Sequence, residues 1–508
     1  MSAPGSPADL RRNPELAAAG TYDLAVVGGG IQGATLALEA ARRGLSTLLL
    51  ERGDFGGATS WNSLRILHGG LRYLQGLDLR RFRESVGERR WFLRELPDLA
   101  EPLPCLMPLY DPPRGGALRR PLLLRAALAA DALLRGSRDP GLPPGRLLTP
   151  RETMARFPGV DAAGRGRLLG GALWHDAVAP DSQRLVVEIL RWAAAGGARA
   201  LNYVEALDLR LSPGGGRVVG LRAEDRVTGA RLLFNARAVI NGAGPWCRQV
   251  ARRFDRDVPG LFRPVLAWNV LLDREPPAPL AIAAAAPGQP GGPQAQTFFV
   301  LPWKGRTLAG TAYAAPTAEP VDPAQGAPGP EAVRSFLAAL NAALPALDAR
   351  FEQVLRVFWG WLPGQPGQPE VPATQPVVCD HGRHGGPRGL VSVSGVKLTT
   401  ARALAVRALK TAFQGELPAP RPVPRPAADA PWSFDELVHR AEHDPDAARD
   451  HLRGLAERQA VVHLEDLLLR RTDWGILPAH AALAERLCQT LGWAPDETAP
   501  LRAAGGLP

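Results

Sequence analysis

Three glycines, Gly28, Gly30 and Gly33, follow the apolar run "DLAVV" at the spacing G-x-G-x-x-G, and an acidic residue, Glu51, closes the next apolar run. That pattern suits the holding of a dinucleotide. The first glycine permits a tight turn, the second lets backbone approach a pyrophosphate, and the third brings helix and strand together. The pyrophosphate then sits at a helix N-terminus, where unpaired N–H groups and the helix dipole favour negative charge. The Glu51 carboxylate is placed to accept hydrogen bonds from ribose hydroxyls. The elements that must position these groups are written into the same stretch, since residues 23–51 read as strand, glycine turn, helix and strand.

Further along, "GGATSWNSLRILHGGLRYL" (56–74) sets small hydroxyl residues among glycines. Thr59, Ser60 and Ser63 suit phosphate or ribitol oxygens, while Gly69 and Gly70 let a flat ring lie close to backbone. "NGAGPW" (241–246) sets Gly242 and Gly244 in a turn after a strand, with Trp246 either a contact or plain core. "SGVKLTTAR" (394–402) is a strand running into a helix start, with Gly395, Leu398 and Thr399 at the junction. Its unpaired N–H groups suit an anionic ring edge; alternatively, Ser394 and Thr399 merely cap the helix. This succession resembles the FAD-dependent glycerol-3-phosphate dehydrogenases over nearly the whole chain after residue 20, "HGGLRYL" and "GVKLTT" being its most specific parts.

The resemblance implies FAD as cofactor. It also implies an enzyme that moves a hydride from a secondary carbinol carbon of a small alcohol or polyol phosphate to flavin N5, while a base takes the hydroxyl proton. Substrate contacts are implied at Arg72, Tyr73 and Lys397, with His68 near the ring and Val204 at the cofactor. A quinone, another acceptor or oxygen would take the electrons. Two positions depart from the family pattern. An expected histidine falls at Asn269 of "VLAWN", and an expected arginine at Leu362 of "GWLPG". Losing that arginine removes a charge-assisted contact worth on the order of 1.5–3 kcal/mol, and losing the histidine removes a proton acceptor. Both weigh against glycerol 3-phosphate itself as the natural substrate. Trp268, Trp303, Trp359 and Trp361 either make the pocket more aromatic and less suited to phosphate or are ordinary core. An amine or amino-acid oxidase, and a flavoprotein that has lost catalysis, are the alternatives. His381 and His384, in "DHGRHGG", read as a surface turn.

The expected fold is α/β: an FAD-binding Rossmann-like domain with an antiparallel-sheet substrate domain and a C-terminal helical domain. Residues 1–20 read as a flexible leader and 21–415 as the oxidoreductase, with FAD-binding segments at about 21–110, 165–250 and 375–412 and substrate-lobe segments between them. A stiff proline-rich linker is expected over 416–431 and helices over 432–508. Residues 274–296 and 314–330 look like loops, and 297–313 like a hairpin. The basic, leucine-rich stretch 113–138 reads as a helix that packs on another helix or lies on an anionic membrane surface through Arg119, Arg120, Arg125 and Arg135. The net charge of +10 is spread along the chain without a nucleic-acid motif, so no nucleic-acid partner is expected. The four cysteines form no CxxC pair, which argues against a metal centre or disulfide framework and for a reducing compartment. No apolar stretch reaches the ~20 residues of a membrane helix. The expected location is the cytoplasm or the cytoplasmic face of a membrane.

Overall fold

Apolar residues run unbroken through "LAVV" and "TLLL", which demands cover on both faces of those strands. The computed structural model, which describes residues 8–70, 78–111, 142–161, 166–285, 297–316 and 324–492 with Leu124, Leu128 and Asp322, supplies that cover. Thr21–Val27 lies inside a parallel sheet, between Thr47–Leu50 and Arg231–Asn241. Arg199–Leu201 and Leu390–Ser394 extend the parallel set, and Val377–Asp380 adds an antiparallel edge. Val204–Leu211 and Val218–Asp225 continue from Arg231–Asn241 as an antiparallel extension. Helices Ile31–Ala41, Ser182–Ala195 and Ala401–Ala412 share one core over this sheet.

The second sheet is antiparallel but for one pair, Ala281–Ala285 beside Glu101–Asp111. Its order runs Gln368–Pro372, Val354–Gln365, Pro264–Leu272, Arg306–Ala314, Thr297–Trp303, Ala281–Ala285, Glu101–Asp111, Arg167–Val178 and Ile66–Leu67. The fold is thus the α/β class expected. Ala281–Ala285 corrects the reading of 274–296 as loop: strands pair on both its sides, which overrides alanine's weak strand propensity.

The leader is also corrected. From Ala8 onward the chain is ordered, with Ala8 and Leu10 each 2% exposed and the Leu10 N–H donating to Arg458 O at 2.7 Å. Pro14–Ala18 is a short helix capped by Asn13. Residues 416–431 form no helix or strand and are pinned to the first sheet's helices. Trp192 Nε1 donates to Val423 O at 2.8 Å, and Arg425 pairs with Asp98. Beyond them Phe434–His443, Pro445–Arg458 and Pro478–Thr490 pack around the buried Trp474. Most of 113–138 lies outside the described residues; Leu124 and Leu128 are helical and buried beside Leu103 and Met107. No described helix is long and apolar enough to cross a membrane.

Candidate active site

Both sheets line one cavity of about 2260 Å³. A drug-sized ligand needs roughly 300–1,000 Å³, so a dinucleotide and a substrate fit together. At its base Gly28 has φ +106°, and a Cβ there would lie 2.7 Å from Gly242 O. At Gly33 a Cβ would lie 1.8 Å from Gly28 O. Strand end, helix start and the 241–246 turn therefore meet backbone to backbone, a geometry only glycine allows. Gly30 stands at the N-cap of Ile31–Ala41 without a side-chain cap. The Glu51 carboxylate braces the turn, its Oε2 accepting from Gly29 N at 2.5 Å and its Oε1 from Gly53 N at 2.8 Å. Burial pushes that carboxyl above its usual range, against the pull of the two N–H groups. Each oxygen retains a lone pair for a ribose hydroxyl.

The three hydroxyl residues reach the cavity wall but have partners within the protein. Ser60 Oγ accepts from Ile31 N at 3.0 Å, Thr59 Oγ1 donates to Trp361 O at 3.2 Å, and Ser63 Oγ accepts from Arg65 N at 3.2 Å. Gly242, Gly244, Gly395, Lys397, Leu398 and Thr399 also line the cavity. Thr400, not Ser394 or Thr399, holds the N-cap position of Ala401–Ala412, so the helix-capping alternative is corrected. Trp246 proves to be a wall residue, with Arg52 lying 4.8 Å over its ring. Gly33, Gly69 and Val204 act from behind the wall. Val204 is fully buried and donates its N–H to Glu51 O at 2.8 Å, supporting the Glu51 strand. Arg72 and Tyr73 lie outside the described residues.

His68 is placed by strand register. Ile66 and Leu67 pair with Val178 and Ala177, so His68 falls opposite Asp176. His68 Nδ1 is 3.1 Å from Asp176 Oδ2, and the Gly69 N–H donates to Asp176 Oδ1 at 2.7 Å. Arg89 donates to His175 O and sits 3.4 Å from Asp176 Oδ1. Burial would raise the Asp176 carboxyl, yet His68, Arg89 and the Gly69 N–H outweigh it and hold it at about 2. With Nδ1 facing the Asp176 carboxylate, the neutral ring carries its proton there and presents Nε2 as the acceptor, on a side chain one-third exposed and lining the cavity. Asp176 carries no motif of its own in the sequence. Strand alternation was the available signal, since Trp174 and Asp176 face the cavity together.

Asn269 and Leu362 both line the cavity. Asn269 Nδ2 donates to Asn62 O at 3.1 Å and its Oδ1 accepts from Thr311 Oγ1 at 2.8 Å, so this amide is fixed at both ends and takes no proton. The four tryptophans divide between the two readings, and Trp174, Trp246 and Phe299 add to the aromatic lining of the cavity. Among the four tryptophans only Trp361 reaches the cavity; Trp268 and Trp303 are core and Trp359 packs between two cores. His381 is corrected too: it is 1% exposed, with Nδ1 3.0 Å from Asp255 Oδ2 and Nε2 2.9 Å from Ser392 Oγ. A polar turn composition hid two partners that approach from other elements.

A glycine cradle at the end of a parallel strand, closed by Glu51, makes this a dinucleotide-binding protein of the Rossmann type. Residues 23–407 match the family described as FAD dependent oxidoreductase, and the chain belongs to that family, with FAD as its cofactor. The chain is similar to the mitochondrial glycerol-3-phosphate dehydrogenase of Arabidopsis thaliana, 29% identical over 77% of this chain and 61% of that protein. It is also 29% identical to a Synechocystis glycerol-3-phosphate dehydrogenase over 95% of this chain and 85% of that one. Matches to the first of these relatives thus span less than two thirds of their length. In fold it resembles the glycerol-3-phosphate dehydrogenase of Bacillus halodurans complexed with FAD, at TM-score 0.69 and 21% identity over 97% of this chain and 96% of that one. The residues present fit FAD: the backbone cradle leaves no room for a Cβ at Gly28, which faces Gly242 O, or at Gly33, and the Glu51 carboxylate lines the cavity beside it.

Proposed function

We propose that the protein oxidises glycerol 3-phosphate or a closely similar small polyol phosphate, passing electrons to a quinone or another acceptor. The observation that carries this reading is the His68–Asp176 pair opening on the cofactor cavity. FAD, when bound, supplies the hydride acceptor. His68 Nε2 takes the substrate hydroxyl proton, and Asp176 holds the ring in that tautomer and favours the cation that forms. Lys397, with Arg72 and Tyr73, holds the substrate. The relatives' names support the phosphate ester, while Asn269 and Leu362 imply a looser grip on it than the family pattern provides. His68 thereby does the proton work that the missing histidine would have offered. Glycerol 3-phosphate added without oxygen should bleach the yellow enzyme. Bleaching by amines or hydroxy acids alone would overturn the proposal. The same reading includes peripheral attachment to an anionic membrane through the arginines of 113–138. Flotation with anionic liposomes, lost when those arginines are replaced, tests it.

A further inference from the structure

The loop after Glu51 is held from the far end of the chain. Asp54, which is buried, lies in a stretch with Gly53, Gly56 and Gly57, where backbone freedom is large. Arg471 Nη1 and Nη2 donate to Asp54 Oδ2 and Oδ1, each at 2.7 Å. Arg470 Nε donates to Asp54 Oδ2 at 2.6 Å, and Asn202 Nδ2 to Oδ1 at 3.0 Å. Arg470 continues to Glu465 Oε1 at 2.8 Å and Asp466 Oδ1 at 2.6 Å, where the Tyr203 hydroxyl also donates at 2.6 Å. Both arginines sit in the π-helical turn Asp466–Arg471, a turn type frequent at functional sites. Asp54, Tyr203, Glu465 and Arg470 line the same cavity as Glu51.

We infer that Asp54, Arg470 and Arg471 are positioning residues for FAD, and that the C-terminal helical unit is a working part of the cofactor site. The fork fixes the glycine-rich loop before the cofactor arrives, so ordering that loop is not charged against binding. Coupling is reciprocal: if the docked turn favours FAD, bound FAD must favour the docked turn. This inference rests on family membership and the cavity, not on the substrate.

The test uses the full-length chain stripped of flavin and titrated with FAD. Asp54→Asn and Arg471→Lys should each weaken FAD binding tenfold or more. Leu340→Ala empties a fully buried position of the helix Pro330–Ala343, in the core with Trp268 and Val270 of the second sheet. Matched for melting temperature, it should leave FAD binding within twofold. Amide exchange at 462–476 should slow when FAD is added to the unaltered protein. Should Asp54→Asn not fold, Arg471→Lys decides alone. Unchanged FAD affinity in Arg471→Lys, equal weakening in Leu340→Ala, or exchange at 462–476 indifferent to FAD would each overturn the inference.

Discussion

The cofactor cradle and the substrate wall face each other across one cavity, yet they are assembled over different distances along the chain. Gly28, Gly30, Gly33 and Glu51 come from one strand–helix–strand unit, and their contacts are mostly backbone. His68 and Asp176 stand 108 residues apart and meet because two strands share a register. Asn269 is tied to Asn62, 207 residues away. The cradle tolerates almost no side chain; the wall is defined by which side chains face inward. Backbone geometry therefore shapes the cradle, and side-chain pairing across strands shapes the facing wall.

Separating the two halves by mutation is the most direct check. Asp176→Asn removes the carboxylate that orients His68 and should slow flavin reduction by about 10²–10⁴-fold, with FAD content unchanged. Stopped-flow reduction under anaerobic conditions reads it, and loss of flavin instead would mean that the halves are not separable. Gly33→Val attacks the other half. With Gly28 O 1.8 Å from any added Cβ, the helix must shift, at about 3 kcal/mol. FAD affinity should fall roughly a hundredfold, read from flavin content after purification.

Acid should loosen both halves at once. Burial would raise Asp54 and Asp176, but the arginines beside Asp54, and His68 with Arg89 beside Asp176, bring each to about 2 from 3.8. A depressed folded value stabilises the protein fully above the unfolded value, and that contribution fades as pH falls from about 4 toward 2. Each carboxylate accounts for about 2 kcal/mol. Melting temperature should drop over that window in the unaltered protein and less steeply in Asp176→Asn. The smallest effect sharpens the substrate wall alone: Leu362→Arg should lower the KM for glycerol 3-phosphate about tenfold and leave that for unphosphorylated glycerol unchanged.

How much was readable in advance follows the same division. The βαβ unit, the glycine spacing and Glu51 were legible because hydrophobic periodicity and glycine's backbone freedom act within a few residues. The hairpin at 297–313 was legible for the same reason. Ala281–Ala285 was not, since its neighbours on both sides decide that it is a strand. The order of the leader was hidden because its anchor, Arg458, lies hundreds of positions away. His381 looked like a surface residue because its composition is polar and its partners, Asp255 and Ser392, come from elsewhere.

From the order of residues alone came the cofactor class, the parallel-sheet scaffold, and the two places where the family's histidine and arginine are missing. The dinucleotide cradle and its scaffold follow from local rules of turn, helix start and strand; the choice of FAD and the two departures at Asn269 and Leu362 rest on the resemblance to the family. Folding supplied the rest. It set Asp176 behind His68, engaged both ends of the Asn269 amide, and brought Arg470 and Arg471 onto a carboxylate more than 400 positions earlier. Burial and strand register choose those partners, and neither is a property of any short stretch of chain.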